Sequence, residues 1–145
     1  MAFILLLIRI FIGGVFLYSG WSKLMTPIEN FTAVLEGYQF LKPVLITPVA
    51  FFVPWLELIF GAFLALGFLT RASASVIGTF LAVFIFLLSR SLLLHLPISE
   101  CGCFGSGITL APWQALALDL GLFIASLILL WRCPKLLSLD ERLNR

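Results

Sequence analysis

A chain of 145 residues that is 62% hydrophobic and 11% charged, with mean hydropathy +1.17, carries less than half the roughly 25% charge of a soluble domain. Its apolar residues fall in long uninterrupted blocks, which points to an integral membrane protein and argues against a large soluble core. A net charge of +2 is too small to argue for a nucleic-acid partner, so the cations matter by position and not by sum.

Residues 2–24 form the first apolar segment, interrupted by Arg9 and by the small residues Gly13, Gly14, Ser19 and Gly20. About 20 helical residues cross the ~30 Å hydrocarbon core, so the segment is long enough to span. It reads as a retained membrane helix. It is too long for a signal peptide, no Lys or Arg precedes it, and no small-residue cleavage site follows before Trp21. Gly13/Gly14 and Ser19/Gly20 are expected to let a second helix approach closely, since lipid offers no hydrophobic drive for helix pairing.

Thr26 to Thr47 is too polar to span. Thr26, Pro27 and Glu29 read as N-cap, N1 and N3 of a helix. Phe31, Val34, Leu35 and Tyr38 then recur at helical spacing, as in a short amphipathic helix at the membrane interface. Lys42-Pro43 and Thr47-Pro48 close this connector. The second span is expected from Pro48 to Leu69, carrying Glu57 and stopping at Thr70-Arg71. The third runs from Ala72 to Leu94, with Arg90 and His95 at its far end. Residues 95–111 form a loop, and Pro112 opens a fourth span to Arg132, which holds Asp119. A charged tail, 133–145, follows. The expected fold is a single all-α membrane domain: a four-transmembrane-helix antiparallel bundle with a short interfacial helix between the first two spans.

Cation placement sets the orientation. Arg71, Arg132, Lys135, Arg142 and Arg145 fall on the side of the N-terminus, against Lys23, Lys42 and Arg90 on the other. The positive-inside rule then places both termini in the cytoplasm and the 95–111 loop outside. Trp21, Trp113 and Trp131 fall at span ends, where an aromatic belt lies.

That loop contains Glu100-Cys-Gly-Cys-Phe-Gly-Ser-Gly107. Three readings of Cys101 and Cys103 stay open: a redox pair, metal ligands together with His95, or a structural disulfide. Cα atoms two residues apart can fall within the ~4.4–6.8 Å that a disulfide needs, but the small ring is strained. Strain raises the reduction potential and suits a donor of oxidising equivalents. Gly102 gives the backbone freedom for closure. A Cys-x-Cys lacks the second ligand pair of a zinc site. Cys133 is expected on the opposite side of the membrane, too far to resolve a bond between Cys101 and Cys103.

Ionisable residues inside spans are costly and usually face a partner or a cavity. Counting from Pro48 and Pro112 at ~1.5 Å per residue puts Glu57 and Asp119 in the outer halves of their helices. Lys23 and Arg90 lie near the outer ends of theirs. The four are expected to form a neutralised cluster beneath the cysteine loop. Such a cluster acts as a structural lock of the bundle, or as a source of thiolate stabilisation or proton relay. Arg9, in the inner half, is expected to snorkel.

Arg9 with Gly13-Gly-Val-Phe-Leu-Tyr-Ser-Gly-Trp-Ser-Lys23-Leu, Tyr38-x-Phe-Leu-x-Pro43, Pro54-x-x-Glu57-x-x-x-Gly61, Gly67-x-x-Thr-Arg71 and Cys101-Gly-Cys-Phe-Gly105 together resemble the MauE/DoxX family, with the Cys-Gly-Cys-Phe-Gly element on the MauE (methylamine utilisation) side. The connector departs slightly, reading Leu41-Lys-Pro43 where Leu-Pro is usual. The resemblance implies a four-helix protein of the bacterial inner membrane tied to extracytoplasmic thiol redox. Its implied partner is a periplasmic thioredoxin-like protein or a disulfide-rich client such as the small subunit of methylamine dehydrogenase. Reoxidation needs an electron acceptor, for which a membrane quinone is a candidate, and no residue of the chain identifies a quinone pocket. On this reading Cys101 and Cys103 exchange disulfides, supported by Lys23, Glu57, Arg90 and Asp119. The alternative is a non-catalytic assembly subunit of a DoxX-type quinone-linked oxidoreductase with a structural Cys pair.

Overall fold

The computed structural model describes residues 2–97 and 110–132. These form five helices: α1 (Ala2–Met25), α2 (Ile28–Gly37), α3 (Pro43–Leu66), α4 (Thr70–Leu93) and α5 (Pro112–Arg132). All but α2 are long and apolar enough to cross a membrane, so the protein is a multi-pass all-α membrane protein. Cys101, Cys103, Cys133 and the tail lie outside the described residues.

The buried residues of α1 recur at three- and four-residue steps: Arg9, Ile12, Gly13, Phe16, Ser19, Gly20 and Lys23. Those of α3 do the same: Ile46, Ala50, Pro54, Glu57, Gly61 and Leu64. Each set is one stripe of a 3.6-residue helix, and the two stripes meet antiparallel. A Cβ on Gly13 would stand 2.8 Å from the backbone nitrogen of Ala65 and the carbonyl oxygen of Gly61, and one on Gly20 would stand 2.8 Å from the carbonyl oxygen of Pro54. The helices therefore touch backbone to backbone, as small residues permit. Gly13 and Gly20, seven residues apart, share the contact face. Gly14 does not, since nothing lies within 4 Å of its Cβ position. The expected Gly13/Gly14 pair is thus one contact residue and one outward residue.

Where α3 begins differs from the sequence expectation. The helix starts at Pro43, and Thr47-Pro48 lies inside it. Lys42 is extended (φ −66, ψ 142), and Pro43 opens the first turn, where its missing N–H removes no helical bond. Pro48 removes one such bond. The first turns are held by packing instead, with Ile46 and Ala50 buried against Phe31 and Leu35 of α2. Thr26 also departs from its expected role. It makes no side-chain cap on α2; its hydroxyl donates to the carbonyls of Ser22 and Lys23 and so closes α1.

The turn joining α3 to α4 is Gly67–Leu69, not Thr70–Ala72, and Thr70-Arg71 form the first turn of α4. The N–H of Phe68 donates to the carbonyl of Phe63, and that of Gly67 to Leu64, the paired bonds of a Schellman helix end. Gly67 has φ +75, and a Cβ there would lie 2.8–3.0 Å from the guanidinium of Arg9. Arg9 is 2% exposed. It does not snorkel but packs beneath the turn.

One core cluster joins α1, α3, α4 and α5 around Ile12, Phe16, Leu64, Ile77, Leu81 and Leu122. A second, around Tyr38, Phe84, Leu88 and Ala115, lies toward the end where α4 stops and α5 starts. The apolar face of α2 (Phe31, Leu35, Tyr38) is buried in these contacts, while Glu29 and Glu36 are exposed. The short helix between the first two spans thus covers one end of the bundle. Trp21, Trp113 and Trp131 are all exposed near helix ends.

Candidate functional site

Lys23 sits two residues from the end of α1, yet its side chain is fully buried. A helical Cβ leans toward the N-terminus of its own helix. Lys23 therefore leans back into the bundle, and Glu57, on an antiparallel helix, leans up to meet it. The ammonium donates to both carboxylate oxygens of Glu57 at 2.8 Å and to Ser19 Oγ at 3.1 Å. Those three bonds use all its donors. The Ser19 hydroxyl in turn donates to Glu57 Oε2 at 3.2 Å.

Two aromatic rings complete the enclosure. Lys23 Nζ lies 5.1 Å from the ring centroid of Phe31 on α2 and 5.3 Å from that of Phe84 on α4, within reach of cation–π attraction. One ammonium thus joins four helices. Asp119, buried on α5, lines a cavity with Ser19, Glu57, Val15, Phe16, Leu81, Phe84 and Leu122.

The expected four-membered cluster is not formed as a whole. Lys23 and Glu57 pair, and Asp119 lines a cavity with Glu57 and Ser19. Arg90 stands apart, donating to the carbonyls of Tyr38 at 3.0 Å and Gln39 at 3.4 Å and facing the Phe40 ring. It closes the C-terminal end of α2, where helical carbonyls lack partners and attract a cation. Glu57 is also deeper than expected. With α3 starting at Pro43, it lies about 21 Å along the helix at ~1.5 Å per residue, past the midpoint toward Leu66. His95 is exposed just beyond α4, with φ 49.

Ser19, Phe31 and Phe84 were not assigned to the site from sequence. Ser19 had a local signal, since it precedes Lys23 by four residues and so shares its face. The two phenylalanines had none, because their approach depends on how α2 and α4 pack.

The pairing explains why several separated motifs occur together. Arg9, Gly13, Ser19, Gly20 and Lys23 are the contact stripe of α1, and Pro54, Glu57 and Gly61 are the facing stripe of α3. A family model described as methylamine utilisation protein MauE matches residues 1–132. The chain belongs to the MauE family. The match takes in both stripes, the Cys101–Cys103 element and Asp119, and it ends with α5. MauE membership points to a role in methylamine utilisation. No curated protein and no solved structure matches the chain.

Proposed function

We propose that this MauE-family protein is a thiol–disulfide component of the bacterial inner membrane. In this reading Cys101 and Cys103 face the periplasm, both termini are cytoplasmic, and the pair exchanges with a thioredoxin-like protein or its disulfide-rich client. The observation that carries the reading is the place of the Cys-Gly-Cys element. It lies in the connection between α4 and α5 of a MauE-family bundle. That connection leaves and rejoins the bundle at the end where α2 packs. Arg71 and Arg132 mark the opposite end, which supports the orientation.

A thiolate of a reduced partner attacks the Cys101–Cys103 bond, and one cysteine leaves as thiolate while a mixed disulfide forms. The partner's second thiolate then attacks that bond, and the partner departs oxidised. Two electrons and two protons end on Cys101 and Cys103. An acceptor of the membrane-quinone class takes both electrons and both protons to restore the disulfide.

Cys101→Ser and Cys103→Ser, made separately in the full chain, test this. In each variant the remaining thiolate can still attack the disulfide of an oxidised partner but has no neighbour to release it, so a dithiothreitol-sensitive adduct is expected on a non-reducing gel, with Cys103 the expected trapped thiol. An impermeant maleimide applied to reduced spheroplasts is expected to label the pair and spare Cys133. If neither variant traps a partner and the wild-type bond resists mild reductant, the pair is a structural disulfide of an assembly subunit.

A further inference from the structure

Arg90 stands half-buried in the last turn of α4, and its guanidinium is held in place but only partly used. Nη1 donates to the carbonyls of Tyr38 and Gln39. Gln39 is left-handed (φ 50), and the next residue, Phe40, lies over the guanidinium with its ring centroid 5.8 Å from Cζ. The Nε–Nη2 edge is left without a partner among the described residues, and neither of its nitrogens is buried. Among the described residues no carboxylate pairs with Arg90; Glu29 and Glu36 lie on the exposed face of α2. A guanidinium is always charged. Its open edge is a planar fork that matches two oxygens of one anion, as in a phosphate.

One and two turns further into the span the surface is apolar. Phe86 and Val83 precede Arg90 by four and seven residues, so they share its face of α4, and both are exposed. Phe40, also exposed, meets Phe86 edge-on with centroids 5.7 Å apart. We propose that Arg90, Phe40 and the Phe86–Val83 stripe form a binding site for one anionic phospholipid, with its phosphodiester on the Arg90 fork and an acyl chain along Phe86 and Val83. A soluble anion would use the fork alone; the apolar stripe leading from it into the span favours a lipid. Lys42, exposed two residues beyond Phe40, adds positive charge at this end of the bundle and favours an anionic headgroup. An arginine that snorkels carries its charge on a mobile stem, whereas this one is fixed by two carbonyls and a ring before a lipid arrives. The lipid would join α4 to the α2–α3 connection, because Arg90 and Phe86 belong to the first and Phe40 to the second. The site does not depend on the chemistry of Cys101 and Cys103.

Photo-crosslinking of the full-length protein tests this, in phosphatidylcholine nanodiscs doped with phosphatidylglycerol that carries a diazirine on one acyl chain. In the wild type the label is expected to concentrate on Val83, Phe86 and Phe40, and to be displaced by unlabelled phosphatidylglycerol but not by glycerol phosphate. Arg90→Gln is expected to lower labelling of these residues about tenfold, the weight of a forked, charge-assisted contact, while labelling of Ile124 on α5 stays unchanged. Arg90→Lys is expected to fall between the two, because an ammonium keeps the charge but not the fork. Even labelling of exposed residues all round the wild-type bundle overturns the proposal and leaves only bulk lipid, a result that needs no variant to fold. Labelling of Val83 and Phe86 that is unchanged in both Arg90 variants overturns it too. Displacement by glycerol phosphate as effective as that by phosphatidylglycerol would make the site one for a soluble anion and would likewise overturn it.

Discussion

Lys23→Met is expected to lower the stability of the detergent-solubilised protein by about 3–5 kcal/mol, the usual cost of removing one partner of a buried ion pair. The loss has identifiable parts. Glu57 surrenders two 2.8 Å bonds, Phe31 and Phe84 lose the cation between them, and the buried Glu57 carboxylate is left without its ammonium. Glu57→Ala leaves the buried Lys23 ammonium without its carboxylate and is expected to destabilise for the same reason. It should still cost clearly more than truncating an outward phenylalanine such as Phe52. The double variant Lys23→Met/Glu57→Leu should recover much of the single-variant loss, since apolar replacement of a whole buried pair is often neutral. Thermal melting in detergent checks the series. If Lys23→Met melts with wild type, the ammonium is hydrated and not enclosed by Glu57, Phe31 and Phe84.

Gly20→Leu is expected to have the second largest effect, and Gly14→Leu almost none. At Gly20 the first added carbon would lie 2.8 Å from the carbonyl oxygen of Pro54 and 2.9 Å from the backbone nitrogen of Leu58. Backbone atoms cannot rotate away, so α1 and α3 must separate. Overpacking of this kind costs about 1–3 kcal/mol. Separation also draws Ser19 and Lys23, on the same face of α1, away from Glu57, so Gly20→Leu and Lys23→Met should be less than additive. Gly14 meets nothing within 4 Å, and a leucine there should stay within about 0.5 kcal/mol of wild type. Equal melting of the two leucine variants would show that α1 and α3 do not meet at Gly20.

The family and four-helix plan were legible in the chain because they depend on local quantities. Length and hydropathy define a span whatever it packs against. Pro112 opens a helix through its own backbone chemistry. Phe31, Leu35 and Tyr38 advertised the buried face of α2 by spacing alone, and Lys23, Glu57 and Asp119 stood out because charge within a span needs a reason.

The tertiary structure decided what local quantities do not contain. The choice between Pro43 and Pro48 as the start of α3 turned on Ile46 and Ala50 packing against Phe31 and Leu35, which holds turns that an interior proline weakens. The choice of partner for Glu57 was similar. Depth along a helix can be counted from sequence, and on that count Lys23 and Arg90 were equal candidates. The angle at which each side chain leaves its helix relative to a neighbour cannot be counted, because it is set by how α1 and α3 close on Gly13, Gly20 and Gly61. That packing turned Lys23 inward onto Glu57, while α4 carried Arg90 to the carbonyls of Tyr38 and Gln39.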